Sequence, residues 1–217
     1  MPSIESEVLA ERMRGAVSLC WNMFSRKVGS GLIQINKEAS MQLQYAYLLK
    51  QLLPLITLHE NEAFEVELET GVLVGNSRRE IDLVFSGRSD DENHVIAIEM
   101  KCYRTLASSG KPRGASDIFM KDVYFDFYLL EQYMNERHAN EGIALVMNDM
   151  ERLVSPSNRN AKCWDYDTSD GAEFGPSVFN TPIGGKGINF RLDLSYKLNW
   201  TNHGEFWFLE TEGEYAN

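Results

Sequence analysis

Hydrophobic positions along the chain change period several times, and each change marks an element. Across residues 4–26, Leu9, Met13, Val17, Cys20 and Trp21 recur at three- and four-residue intervals with charged residues between them. That spacing is one face of a helix, and Gly29, Ser30 and Gly31 end it. A second helix is predicted after Asn36, a residue type suited to an N-cap, running from Glu38 through Lys50. Pro54 should limit or kink it. The period then shortens to two. Residues 63–69 alternate apolar with acidic, the mark of a half-buried strand, and Gly71, Gly75, Asn76 and Ser77 supply turns. Residues 80–85 form a second strand, 86–93 a polar loop, and 94–103 a third strand whose opening run is apolar enough to be buried on both faces. Three strands joined in this way form a meander.

A loop rich in Ser, Gly and Pro covers residues 105–115. A long helix is predicted from about Ser116 to Arg137, with Ile118, Val123, Phe127, Leu130 and Met134 on one face, followed by a short apolar strand at 142–147. Residues 155–187 are polar and are read as loop. Residues 190–200 and 205–212 are read as two strands around a turn at 201–204. The expected fold is therefore an α/β protein, a mixed β-sheet flanked by helices in the order αβββαβ, with a C-terminal β-hairpin extension. One domain is expected over 1–217: a core at about 36–149, an N-terminal helix at 4–26 and an extension at 150–217.

Composition changes this picture mainly through charge. The net charge is −11, which disfavours tight non-specific binding to duplex DNA, since that binding rests on Lys and Arg contacts to phosphate. A homodimer, a partner subunit or a restricted substrate fits such a chain better. The acidic N-terminus is unlike a secretory leader, and no stretch reaches the roughly 20 apolar residues that cross a bilayer. A soluble cytoplasmic protein with no membrane partner is expected. Cys20, Cys102 and Cys163 are widely spaced and odd in number, which argues for inert buried thiols rather than disulfides or a metal knot.

The candidate chemistry sits in the meander. Glu99 and Lys101 are two apart in a strand, so their side chains share a face with Met100 opposite. They follow the apolar run Val95, Ile96, Ala97, Ile98, where a strand leaves the core. Asp82, flanked by Ile81 and Leu83, lies in the preceding strand and can pair across the hairpin near Glu99. Two converging carboxylates repel unless a cation lies between them, and Mg2+, hard and content with one or two carboxylates, is the natural choice. A cross-strand salt-bridge cluster is the alternative use of the same three residues.

The stretches Ile81, Asp82, Leu83, Val84 and Ile98, Glu99, Met100, Lys101, within the order helix, three strands, helix, strand, resemble the PD-(D/E)XK nucleases over roughly residues 36–149. The resemblance implies a restriction-endonuclease-like core. It implies that Asp82 and Glu99 bind Mg2+ (with Mn2+ a substitute), that the Met100 carbonyl faces the metal, and that Glu38 from the first core helix joins the ligands. Lys101 would then orient or activate the attacking water; the sequence leaves both roles open. Position 81 is isoleucine where the family name has proline. The implied activity is Mg2+-dependent hydrolysis of phosphodiester bonds in DNA, with RNA left open. The rival is a non-catalytic nucleic-acid-binding or protein-interaction module on the same fold.

Of the basic residues strung around this centre, Arg104 and Lys121 are the preferred phosphate contacts, because they follow the catalytic strand and enter the next helix. Tyr124, Asp126 and Glu131 are read as exposed in preference to the substrate-facing polar groups that the resemblance implies on this helix. His59, His94, His138 and His203 lack metal-ligand spacing. Gly184, Gly185, Lys186 and Gly187 lack the full phosphate-loop pattern and are read as a flexible loop.

Overall fold

The computed structural model describes residues 3–107, 109–185 and 187–215. Lys186, within the glycine-rich stretch, lies outside the described residues, as does Ser108 in the 105–115 loop. Helix α1 spans Leu9–Gly29 and α2 Glu38–Ile56; strands β1 (Ala63–Val74), β2 (Ser77–Arg88) and β3 (Asn93–Tyr103) follow, then α3 (Ser116–Asn135), β4 (Glu141–Asn148) and the single turn α4 (Glu151–Val154). The remaining strands are short: β5 (Glu173–Phe174), β6 (Ser177–Phe179), β7 (Phe190–Leu192), β8 (Tyr196–Lys197), β9 (Trp200–His203) and the longer β10 (Phe206–Glu212).

The six-stranded sheet has the order β1-β2-β3-β4-β10-β9. The first three strands are an antiparallel meander, as the alternation requires. β4 lies parallel to β3, with α3 making the crossover that a parallel pair needs. The sheet is thus mixed and sandwiched. On one face α1 and α2 cover Leu83, Phe85, Ile96, Ile98, Met100, Ile143 and Leu145. On the other, α3 and the C-terminal segment cover Ala97, Tyr103, Ala144 and Val146. Among the described residues no helix is long and apolar enough to cross a membrane.

Several boundaries differ from expectation for local reasons. Lys37, not Asn36, caps α2, because the Ser40 hydroxyl turns back to accept the Asn36 and Lys37 N–H groups and donates to Asn36 Oδ1. Pro54 lies inside α2, which continues to Ile56. The predicted strand 190–200 is three short strands, so the C-terminal hairpin is β9 with β10, turning at Gly204, and β10 joins the main sheet beside β4. The predicted loop 155–187 contains structure held by aromatic residues. Phe174 stacks on Tyr124 of α3 at a ring separation of 4.6 Å, Phe179 packs edgewise on Tyr124 at 4.9 Å, and Tyr196 stacks on Phe127 at 4.6 Å.

The end of α1 meets the C-terminal hairpin closely. A Cβ at Gly29 would lie 2.6 Å from both Cβ and O of His203, and Gly204 sits at φ +63. Gly29→Ala is therefore expected to destabilise the fold by about 1–3 kcal/mol through overpacking. Urea denaturation measures this; wild-type stability would show that the hairpin yields freely.

Candidate active site

Alternation along β3 fixes which groups meet. Ile96, Ile98, Met100 and Cys102 point to the α1/α2 face, whereas Ala97, Glu99, Lys101 and Tyr103 point toward α3. The β2–β3 ladder ends at Leu83 opposite Ile98, while β1 and β2 stay paired to Val74 and Ser77. Beyond that point carboxylates replace strand pairing. The Met100 N–H donates to Asp82 Oδ2 at 2.7 Å, and the Cys102 N–H donates to Glu38 Oε2 at 3.2 Å. The end of β3 is thus bracketed by an acid from β2 and an acid from the first turn of α2.

Helix α3 supplies the other side. The Tyr133 hydroxyl donates to Glu99 Oε1 at 2.9 Å. Asp126 Oδ2 stands 3.2 Å from Lys101 Nζ, and Glu38 Oε2 stands 3.5 Å from the same nitrogen. Asp82 and Glu99 lie close enough for their carboxylates to repel each other. Asp82, Glu99, Lys101 and Glu38, separated by up to 63 positions in sequence, therefore do come together. Asp126 Oδ2 is buried and, among the described residues, faces the Lys101 ammonium without a hydrogen bond of good geometry.

Four carboxyl groups thus surround one ammonium group. Burial lifts the affinity of all four for protons. Glu99 lies well above the usual carboxylate range through burial and then repulsion from Asp126 and Asp82. Asp126 is pushed up to about 8 by burial, with Asp82 and Glu38 adding to the shift and Lys101 opposing it. Asp82 and Glu38 are raised too, again chiefly by desolvation, and each is partly relieved by its backbone N–H. For Lys101 desolvation works against the charge, but Asp126, Glu38 and Asp82 outweigh it, so its pKa is raised. A lysine held charged orients and screens; it does not abstract a proton.

Such a set is short of positive charge and offers hard oxygen donors, the chemistry that suits a divalent cation such as Mg2+. Asp82 and Glu99 are the pair that would hold one. Among the described residues no three His, Cys, Asp or Glu side chains stand in ready-made ligand geometry, so the protein alone would supply two carboxylates rather than a full cage. Met100 gives its N–H to Asp82 and buries its side chain on the opposite face.

The two predicted phosphate contacts are engaged within the protein. Arg104 donates from Nε to Asp149 Oδ2 at 2.7 Å and from Nη1 to the Ile35 carbonyl, and lies over the Phe206 ring. Lys121 pairs with Asp122 at 3.1 Å. The expected exposure of Tyr124, Asp126 and Glu131 is corrected: they are 2%, 7% and 2% exposed. The extension covers the part of α3 that would otherwise face solvent, and each polar tip finds a partner there or in β3. Asp126 and Tyr133 were not among the predicted site residues. Their signal was spacing: Asp126 falls among Val123, Phe127 and Leu130, inside the apolar stripe, and Tyr133 follows seven residues on, two turns along the same face. His59, His94 and His138 contact Glu7, Glu141 and the Leu73 carbonyl, and the three cysteines are buried and free.

No known family model, curated protein or solved structure matches the chain.

Proposed function

We propose that the protein is a Mg2+-dependent nuclease that hydrolyses phosphodiester bonds in DNA. The observation that carries this reading is the convergence of Asp82, Glu99 and Glu38 around Lys101 where the β2–β3 ladder opens. The run α2, β1, β2, β3, α3, β4 supports a restriction-endonuclease-like core beneath it. Asp82 and Glu99 would hold the ion, and Glu38 stands beside them. Bound there, Mg2+ (or Mn2+) supplies Lewis-acid neutralisation of phosphate charge. Lys101, kept charged, orients the attacking water and screens the negative charge that develops on the phosphate. Tyr133 aligns the Glu99 carboxyl through its 2.9 Å bond.

One observation favours a second reading, a non-catalytic nucleic-acid-binding or protein-interaction module. With a net charge of −11, the chain also pairs Arg104 and Lys121 with its own acids, leaving fewer cations for a phosphate backbone. A partner subunit or second copy would then supply them.

The two readings part in one experiment. Linear, circular and single-stranded DNA, with RNA in parallel, are incubated with the protein in Mg2+, Mn2+ or EDTA, and each metal is titrated calorimetrically. The nuclease reading expects cleavage with metal and none in EDTA. Absence of both cleavage and metal-binding heat would leave the non-catalytic module.

A further inference from the structure

Helix α3 meets strand β3 in two matched polar contacts. Glu99 and Lys101 are two residues apart on the strand, about 6.8 Å; Tyr133 and Asp126 are seven apart on the helix, about 10.5 Å. Tyr133 reaches Glu99 and Asp126 reaches Lys101, which is the order required when the crossover helix runs against the strand it leaves. The long tyrosine and lysine side chains span the difference in spacing.

Asp126 is an expensive way to fill a helix–sheet interface. A buried carboxylate is costly unless fully paired, and a buried ion pair stabilises a fold no better than an apolar pair of the same volume. Among the described residues its Oδ2 makes no hydrogen bond, and it faces the lysine ammonium. Glu38 touches that ammonium from the more open side: its side chain is 36% exposed, against 10% for Asp126. Lys101 is therefore held between an inner acid and an outer one on different helices.

We propose that Asp126 is a positioning residue for Lys101, the inner half of a clamp that fixes the ammonium group at the end of β3. From there it meets the attacking water or a substrate phosphate, and this role rests on the nuclease reading above. Asp126 touches neither metal nor substrate; it acts through the lysine.

The test uses the full chain and Asp126→Asn, which keeps shape and removes charge. Three quantities are read: cleavage kinetics with Mg2+, Mn2+ affinity by calorimetry, and the 1H–15N signal of the Lys101 ammonium, assigned with Lys101→Arg. In the wild type that signal is expected to be visible, because a buried, clamped ammonium exchanges its protons slowly; its absence overturns the clamp without any variant. In Asp126→Asn the signal is expected to broaden or vanish, and kcat to fall by about 10–100-fold. KM and Mn2+ affinity should stay within about threefold, and Asp126→Glu should recover part of kcat. An unchanged Lys101 signal or unchanged kcat overturns the proposal, as does a parallel loss of Mn2+ affinity, which would make Asp126 a ligand. A wild type that cuts no nucleic acid but whose Lys101 signal depends on Asp126 removes the nuclease reading and keeps the clamp.

Discussion

On the nuclease reading, Lys101→Met and Glu99→Gln are each expected to reduce Mg2+-dependent cleavage by about 1000-fold, yet to move the stability of the metal-free protein in opposite directions. Lys101 is the ammonium among four carboxyl groups. Replacing it with methionine keeps the stem and takes the partner from the buried Asp126, whose carboxyl must then take up a proton or stay an unpaired charge, a loss of up to about 3–5 kcal/mol. Glu99→Gln removes one of the mutually repelling acids and keeps an oxygen to accept the Tyr133 hydroxyl. At pH 8 in EDTA it is expected to stabilise by about 1 kcal/mol, roughly the worth of one unit of raised pKa. Urea denaturation of both variants checks this. Two variants equally inactive and equally destabilised would mean that the four acids do not strain the fold.

The same charges make the stability of the metal-free protein depend on pH. Glu38, Asp82, Glu99 and Asp126 all have raised pKa values in the folded protein. Between the unfolded carboxylate range near 4 and the folded value of Asp126, about 8, the native state binds more protons than the unfolded chain. Stability therefore falls as pH rises through that window. Lys101, raised above its ordinary value, contributes stability that is constant well below pH 10 and so leaves the window unaltered. Glu62 and Glu141, both lowered, contribute fully once ionised and lose that contribution only under more acid conditions. The metal-free protein should lose on the order of 2–5 kcal/mol from pH 5 to 8. Mn2+ at pH 8 should restore part of it, and Glu99→Gln should flatten the slope.

What was legible in the sequence follows from the range of the forces involved. The meander could be read because strand alternation is local, and Asp82, Glu99 and Lys101 could be read because charges at the end of an apolar run need a partner. Glu38 was placed by resemblance alone, and the structure sets it against the Cys102 N–H and the Lys101 ammonium. Tyr124 and Glu131 could not be read as buried, because what covers them comes from 30 or more positions further on, whereas Asp126, which faces Lys101 on β3, is signalled only by its place inside the apolar stripe. The extension itself was obscured by composition. Glycine, asparagine and serine between residues 155 and 187 read as loop, while widely spaced aromatics, Tyr166, Phe174 and Phe179, dock on α3 one at a time. No period links such anchors, so no pattern in the sequence announces them.

That docking concentrates on one carboxylate, and its removal is expected to have the largest structural effect outside the site. Glu131 accepts the Asp193 N–H at 2.8 Å on Oε2, and on Oε1 the Leu194 N–H and the Tyr196 hydroxyl, both at 3.1 Å. Three donors from the extension thus end on one side chain of α3. Burial raises its pKa, and the two backbone N–H groups oppose that rise most. Glu131→Ala leaves two amides without their acceptor, leaves the Tyr196 phenol only the longer bond to the Phe127 carbonyl at 3.4 Å, and opens a cavity beneath them, at a cost of about 3–5 kcal/mol. Glu131→Gln faces an amide NH2 toward donors and should lose about 1–3 kcal/mol. Since α3 also carries Asp126 and Tyr133, loosening the extension should loosen the side of the helix that faces the candidate site. Hydrogen exchange at residues 193–196 and on α3 should speed up together in Glu131→Ala, with cleavage falling in step. Faster exchange confined to 193–196, with cleavage intact, would show instead that the helix holds its place on β3 without the extension.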